Sequence, residues 1–291
     1  MPLRPSLLAL LVVLIWGLNF VVINEGLADI PPLLFLAIRF VIVCIPAVFF
    51  IKPPGIGFWK VVLIGAFLSL GQFAGLYIAL ALGMPPGLAS LLVQSQVVMS
   101  VLVAYALLKE RPSRKQVIGI VIGMVGLAVV VVGHSQVAPL LPLVVSLLGA
   151  LSWAIGNVLA RQAKAASGLS LAVWSGLVVP IPAFLLSLAF DGPTAIGTAI
   201  VGIDWVAIVS TLYTAIGASL VGYGIWNTLL ARYPTSAVVP FTLLVPIIGI
   251  LAAWLVYGEL PTVTETVGGA IMLGGLAAAT ISRRAKPSIV D

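Results

Sequence analysis

Arg39 is the only one of fourteen Lys and Arg residues that lies inside a long apolar stretch. A guanidinium placed there needs a partner or a function to offset its desolvation. It stands seven residues into its stretch, roughly 10 Å from the boundary at 1.5 Å per residue, so snorkelling would have to cross most of that depth. Two chemistries suit it: a bidentate seat for a carboxylate, or hydrogen bonding to helix-end carbonyls. Gln72, Gln94 and Gln96 lie at similar depth in other stretches. Their amides can hold an ammonium or a carboxylate without a fixed charge, or serve as glue between helices. Gln94 and Gln96 point about 200° apart on a regular helix, so one is expected to line a path while the other bonds a neighbouring helix. Ser219, Tyr223 and Asn227 recur every four residues with Trp226 beside them, the pattern of a polar cavity face. Asn19 with Trp16, and Asn157 with Trp153, form two similar pairs well inside their stretches, and both asparagines read as cavity lining. The candidate binding set is therefore Asn19, Arg39, Gln72, Gln94, Gln96, Asn157, Tyr223, Trp226 and Asn227. Tyr77, Trp174 and Trp205 read instead as packing or interfacial residues.

Other chemistries lack their residues. No Asp or Glu occupies the middle of an apolar stretch, which leaves no obvious proton-carrying carboxylate. Glu110 and Glu259 fall at stretch ends and read as partners of nearby bases. No glycine-rich phosphate loop is present. One His, His134, and one Cys, Cys44, exclude a conventional metal cluster and weigh against a catalytic triad. The reading is of no catalytic residue, no metal and no cofactor, hence not an enzyme. Cys44 reads as a small apolar packing residue.

The elements that must position these groups are ten apolar segments, placed at 5–24, 32–51, 58–82, 86–108, 114–133, 139–161, 169–189, 205–230, 235–257 and 264–282. With 62% hydrophobic and 8% charged residues and a mean hydropathy of +1.27, the bilayer has to be the solvent. Each segment approaches the roughly 20 residues of a spanning helix, and helices satisfy their own backbone groups in hydrocarbon. Thirteen of the basic residues fall in alternate gaps, at Arg4, Lys52/Lys60, Lys109/Arg111/Arg114/Lys115, Arg161/Lys164, Arg232 and Arg283/Arg284/Lys286. The other gaps carry Glu25/Asp29, Asp191, Asp204, Glu259, Glu265 and His134. By the positive-inside rule both termini are cytoplasmic. The net charge of +6 then serves orientation, not nucleic-acid binding. Arg4 and the run from Leu7 to Leu18 resemble a signal peptide, but without a cleavage pattern the run reads as a retained first helix.

A repeat shows at an offset of 149 residues: Pro85/Pro234, Glu110/Glu259, Pro112/Pro261, Gly119/Gly268 and Gly126-Leu127/Gly275-Leu276. The expected fold is all-α and polytopic, with ten transmembrane helices in two five-helix repeats over 1–134 and 135–291. An odd number of helices per repeat inverts the second copy, an arrangement suited to alternating access around a midplane cavity. Small faces at Gly119/Gly123/Gly126 and Gly268/Gly274/Gly275 predict close packing of segments five and ten. Pro240 and Pro246 predict a hinge in segment nine. Segment four has Leu91 and Val97 there, so the halves are not expected to bend alike. The Asp191-Gly192-Pro193 gap reads as a turn.

With these residues in place, the chain resembles the EamA branch of the drug/metabolite transporter superfamily over essentially its whole length. The twice-repeated Glu-x-Pro-like pattern is Glu110-Arg111-Pro112 and Glu259-Leu260-Pro261, and the proline thirteen residues earlier appears once, as Pro246. More narrowly, Trp16-Gly17-Leu18-Asn19-Phe20, Gly83-Met84-Pro85, Arg39-Phe40, Val221-Gly222-Tyr223-Gly224-Ile225-Trp226 and Leu243-Leu244-Val245-Pro246 resemble bacterial exporters of cysteine and O-acetylserine. The resemblance implies a multi-pass protein of the bacterial inner membrane and a secondary-active or facilitative exporter of small amino acids and related metabolites. It also implies a central cavity near Arg39, Gln72, Gln94 and Tyr223. The alternatives are export of other metabolites or drug-like compounds, or a membrane protein that does not transport. The partners implied are a small-molecule substrate and lipid, no nucleic acid, with a second copy of the chain left open.

Overall fold

The computed structural model describes residues 2–135, 139–165 and 167–280. The basic tail at Arg283, Arg284 and Lys286, and residues 136–138 beside the expected junction of the repeats, lie outside the described residues. All regular structure among the described residues is helical. Eight helices there are long and apolar enough to cross a membrane: Leu3–Gly26, Phe58–Ala81, Pro86–Leu108, Arg114–Gly133, Leu141–Ala163, Gly168–Phe190, Trp205–Leu230 and Val239–Tyr257. Segments two and ten are shorter apolar helices, Pro32–Val48 and Val263–Thr280. The gap read as a turn does turn, at Gly192 with φ near +80°, but then carries a ten-residue helix, Gly192–Val201. Pro193 in its first turn and buried Ile196 and Ala199 account for that helix.

Large aliphatic side chains face outward, among them Leu7, Leu10 and Leu14 on segment one and Val121 and Val125 on segment five. Many contacts between helices are made by Gly, Ala and Ser, which let backbones approach closely. Segments five and ten pack more extensively on each other than any other pair of elements. A Cβ added at Gly119 would lie 2.6 Å from the Gly275 carbonyl oxygen, and one at Gly268 would lie 2.7 Å from that of Gly126. Gly119 thus faces Gly275 and Ala279, Gly126 faces Gly268 and Met272, and Gly133 faces Thr264, so the pair runs antiparallel about a local twofold.

The irregular parts of the bundle repeat as well. Segment three widens to a π-helix over Gly65–Gly71, and segment eight over Tyr213–Gly222. An offset of 149 carries the first range onto 214–220, inside the second. Segment four breaks at Gln94, between Pro86–Val93 and Ser95–Leu108. Segment nine tightens to a 3₁₀ turn over Val239–Leu244 before Val245–Tyr257 resumes. Pro240 and Pro246 explain the second interruption, because each removes a backbone donor. The first occurs without a proline, so the expected difference is one of form: a single residue against six. Segment seven also breaks, between Gly168–Gly176 and Pro180–Phe190, where Pro180 and Pro182 deprive the turn of donors. Even the caps recur: Ser113 and Gln116 form a reciprocal capping box at the start of segment five, as do Thr262 and Glu265 at segment ten.

Candidate functional site

Arg39 is 2% exposed, with no carboxylate paired to it among the described residues. Its Nη1 donates to the Tyr77 hydroxyl at 2.9 Å and its Nη2 to Ser219 Oγ at 2.9 Å. Tyr77 belongs to segment three and Ser219 to segment eight, so the guanidinium joins the two halves of the chain. Its carbon lies 4.2 Å from the centre of the Phe73 ring and 5.6 Å from that of Phe40, contacts worth about 0.5–2 kcal/mol for a desolvated cation. Hydroxyls and ring faces do not neutralise a buried charge, whose desolvation costs several kcal/mol. Nε has no partner among the described residues. The hub reading anticipated helix-end carbonyls; the structure supplies two hydroxyls. Tyr77, expected to be a packing or interfacial residue, is fully buried and is one of these two partners. The signal that could have found it is its place inside segment three, because a phenol withdrawn from water needs a hydrogen-bond partner.

The four-residue stripe on segment eight meets a different neighbour at each of its positions. The π-helical stretch shifts the register, and Ser219 Oγ donates to the Thr214 carbonyl five residues back. Ser219 turns to Arg39, while Tyr223 packs on Trp16 with ring centres 5.1 Å apart. Trp226 meets Trp16 at 5.3 Å. Asn227 faces the start of segment seven near Gly168. Trp16 Nε1 donates to the Ala218 carbonyl at 3.0 Å, using an acceptor within the π-helical stretch. The first repeat does the same, where Ser152 Oγ donates to the Phe67 carbonyl at 2.8 Å. Each π-helical stretch therefore receives a donor from the first segment of the opposite half.

Gln94 and Gln96 do not divide their work as expected, because the break at Gln94 removes the regular helix on which that expectation rested. Gln94 Nε2 donates to the Thr242 carbonyl at 3.1 Å, in the interrupted part of segment nine. Gln96 Oε1 accepts from Asn157 Nδ2 at 3.1 Å and from Ser100 at 3.3 Å. Both glutamines thus tie one half to the other. Asn19 and Gln72 are buried, and Asn19 Oδ1 has no partner among the described residues.

Two clefts lie beside the two Glu-x-Pro corners and have one repeat-equivalent wall each. The first, about 210 Å³, is walled by Ser100, Glu110, Arg111, Gln116, Asn157 and Arg161. The second, about 270 Å³, is walled by Leu88, Leu91, Ile250, Ala253, Glu259 and Glu265. Val101, Ala104, Glu110 and Pro112 of the first are the 149-residue counterparts of Ile250, Ala253, Glu259 and Pro261 of the second. Asn157 is the one residue of the expected binding set among these walls. In the first cleft Arg161 Nη2 meets Glu110 Oε2 at 2.8 Å, across the two halves. Glu110 thus does pair with a base. Glu259 does not, among the described residues, and partial desolvation pushes its carboxyl above the usual range. Near it the halves are joined without a cation: the Tyr257 hydroxyl donates to Glu25 Oε1 and accepts from Asn24 Nδ2 at 3.1 Å.

The model of the EamA-like transporter family matches residues 3–132 and again 140–281. The chain belongs to this family. It is 39% identical over 279 residues to a protein of Salmonella typhimurium (strain LT2) described as a probable amino-acid metabolite efflux pump, covering 94% of this chain and 93% of that one. The protein of Escherichia coli (strain K12) with the same description gives the same identity and coverage. A probable terminal-alkyne amino-acid exporter of Streptantibioticus cattleyicolor is 31% identical over 200 residues, 66% of this chain and 63% of that one. A crystal structure of another protein shares the fold, with a TM-score of 0.63 at 20% identity over 97% of this chain and 98% of that one. Family and helices together make this a multi-pass membrane transporter.

Proposed function

We propose that this chain is a secondary-active or facilitative exporter of small amino acids and related metabolites, working by alternating access. The observation that carries the reading is Arg39: a buried cation with no counter-ion among the described residues, held at the junction of the halves by two hydroxyls. Such a charge is costly at rest and becomes favourable once a carboxylate enters and takes its free donors. The names of the relatives, efflux pumps and an exporter for amino acids and their metabolites, support the same cargo class. Asn19, Gln72, Gln94, Gln96, Asn157, Tyr223, Trp226 and Asn227 complete the proposed polar path, with Pro240 and Pro246 as its hinge. The antiparallel pairing of segments five and ten, and interruptions at repeat-equivalent places, support two inverted five-helix repeats and a ten-span topology. In this arrangement both termini face the cytoplasm of a bacterial cell and the Lys109–Lys115 loop lies with them.

Inside-out vesicles containing the protein test the reading by uptake of labelled cysteine, O-acetylserine, threonine and a lipophilic dye. Saturable uptake of the amino acids and not the dye is expected. Uptake of the dye alone would replace the cargo, and no uptake of any compound would remove the export reading.

A further inference from the structure

The two clefts share one repeat-equivalent wall but not their opposite walls or their charge. The first holds Glu110 from the end of segment four and Arg161 from the end of segment six, an anion and a cation contributed by opposite halves. Their side chains are 54% and 55% exposed, so the pair is reachable from water and weak, since exposed ion pairs gain little in high dielectric. Around it Ser100, Gln116 and Asn157 offer hydrogen bonds, while Val101, Ala104 and Val158 form an apolar floor. The volume of about 210 Å³ falls below the roughly 300–1,000 Å³ of pockets for drug-sized ligands. Asn157 and Ser100 both bond Gln96, which continues the polar contacts inward from the cleft.

We infer that this cleft receives a zwitterionic amino acid, whose carboxylate takes Arg161 and whose ammonium takes Glu110, parting the ion pair that ties the halves together. The inference rests on the amino-acid reading above and adds where the cargo is first recognised. The exchange is balanced in charge: one protein ion pair gives way to two protein–ligand pairs, and no group has to lose or gain a proton. A ligand with one of the two charges satisfies one partner and leaves the other without its counter-ion. The second cleft cannot accept the same ligand in the same way. In place of the ion pair it presents Glu259, a carboxylate with no cation paired to it among the described residues, which attracts the ammonium and repels the carboxylate. Recognition at the basic end and poor retention at the acidic end make the two faces unequal in affinity, while the direction of net movement is set by the cargo's own gradient or by a coupled ion.

The test compares labelled cysteine, N-acetylcysteine and cysteine methyl ester in inside-out vesicles, after subtraction of uptake by vesicles lacking the protein. Glu110→Gln is expected to raise the half-saturating concentration of cysteine and of the methyl ester at least tenfold and to leave that of N-acetylcysteine unchanged or lower, because Arg161 is then freed from its ion pair. Arg161→Gln is expected to do so for cysteine and N-acetylcysteine and to leave that of the methyl ester unchanged or lower. Size-exclusion profiles of the detergent-solubilised variants identify folded protein, and Glu110→Asp and Arg161→Lys serve in place of a variant that does not fold, with the same selectivity expected. If the wild-type chain transports cysteine and the variants match it, the reception site is wrong while the export reading stands. Equal weakening of all three compounds by each variant would make the pair a structural tie only, also overturning the site. Absence of cysteine uptake by the wild-type chain would count against the cargo assignment itself.

Discussion

The first repeat closes its Glu-x-Pro corner with an ion pair, Glu110 to Arg161. The second leaves Glu259 without a cation among the described residues and uses Tyr257, Glu25 and Asn24 nearby. The frame around these corners is nearly the same: π-helical third segments, interrupted fourth segments, reciprocal capping boxes and a glycine-faced fifth. Duplication has kept the backbone devices, because each solves a packing or hydrogen-bonding problem that both halves share. The side chains that meet water have been free to differ. Arg39 carries the same lesson inside the bundle, since segment seven, which stands in the second half where segment two stands in the first, contains no Lys or Arg. Among the described residues, two similar halves thus hold one buried cation and one corner closed by an ion pair.

The shared frame is broken most severely at segments five and ten. Gly119→Leu or Gly268→Leu forces a side chain against opposing backbone, which cannot shift as a flexible side chain would. Overpacking of this kind costs about 1–3 kcal/mol or more, and loss of monodisperse protein in size exclusion is expected for both. Normal yield and uptake from either variant would deny that the twofold contact holds the halves together. Next in size is Arg39→Met, which separates function from stability. Removing a buried cation that lacks a counter-ion is expected to leave the melting temperature unchanged or higher, while amino-acid uptake falls more than tenfold. A large loss of stability with intact uptake would make Arg39 a scaffold residue.

The equivalence of the π-helical stretches is sharpened by Trp16→Phe and Ser152→Ala. Each removes one donor to a carbonyl in the stretch, and each is expected to cost about 1 kcal/mol in thermal or denaturant stability. A clear effect at one and none at the other would show that the stretches are held by different means. The smallest effect concerns Glu259. Its carboxyl titrates higher in the folded chain than in the unfolded one, because partial burial disfavours the charged form. Stability from this group is therefore present below the ordinary glutamate range and lost as pH rises through the folded value. Glu259→Gln is expected to melt slightly higher than the parent at pH 8 and equally at pH 4. The reverse order at pH 8 would mean that Glu259 has found a cation after all.

Much of this was legible in the residues alone. The apolar segments, the repeat offset, the family and the glycine faces of segments five and ten follow from patterning that local physics enforces. The burial of Arg39 and the interruption near Pro240 and Pro246 were legible for the same reason. What could not be read was register and partnership. The stripe at Ser219, Tyr223 and Asn227 assumed 3.6 residues per turn, and the π-helical stretch over Tyr213–Gly222 changes that period before Tyr223 without any composition to announce it. That Gln94 and Gln96 each bond a neighbouring element could not be read, because segment four breaks where no proline stands. The sequence determined that a cation is buried and that two halves repeat, since burial and duplication are written residue by residue. Only the tertiary structure decided that Tyr77 and Ser219 hold that cation, and that Arg161 reaches Glu110 while Glu259 meets no base among the described residues. Those meetings depend on how helices distant in the chain are packed, and no local pattern encodes the distance between them.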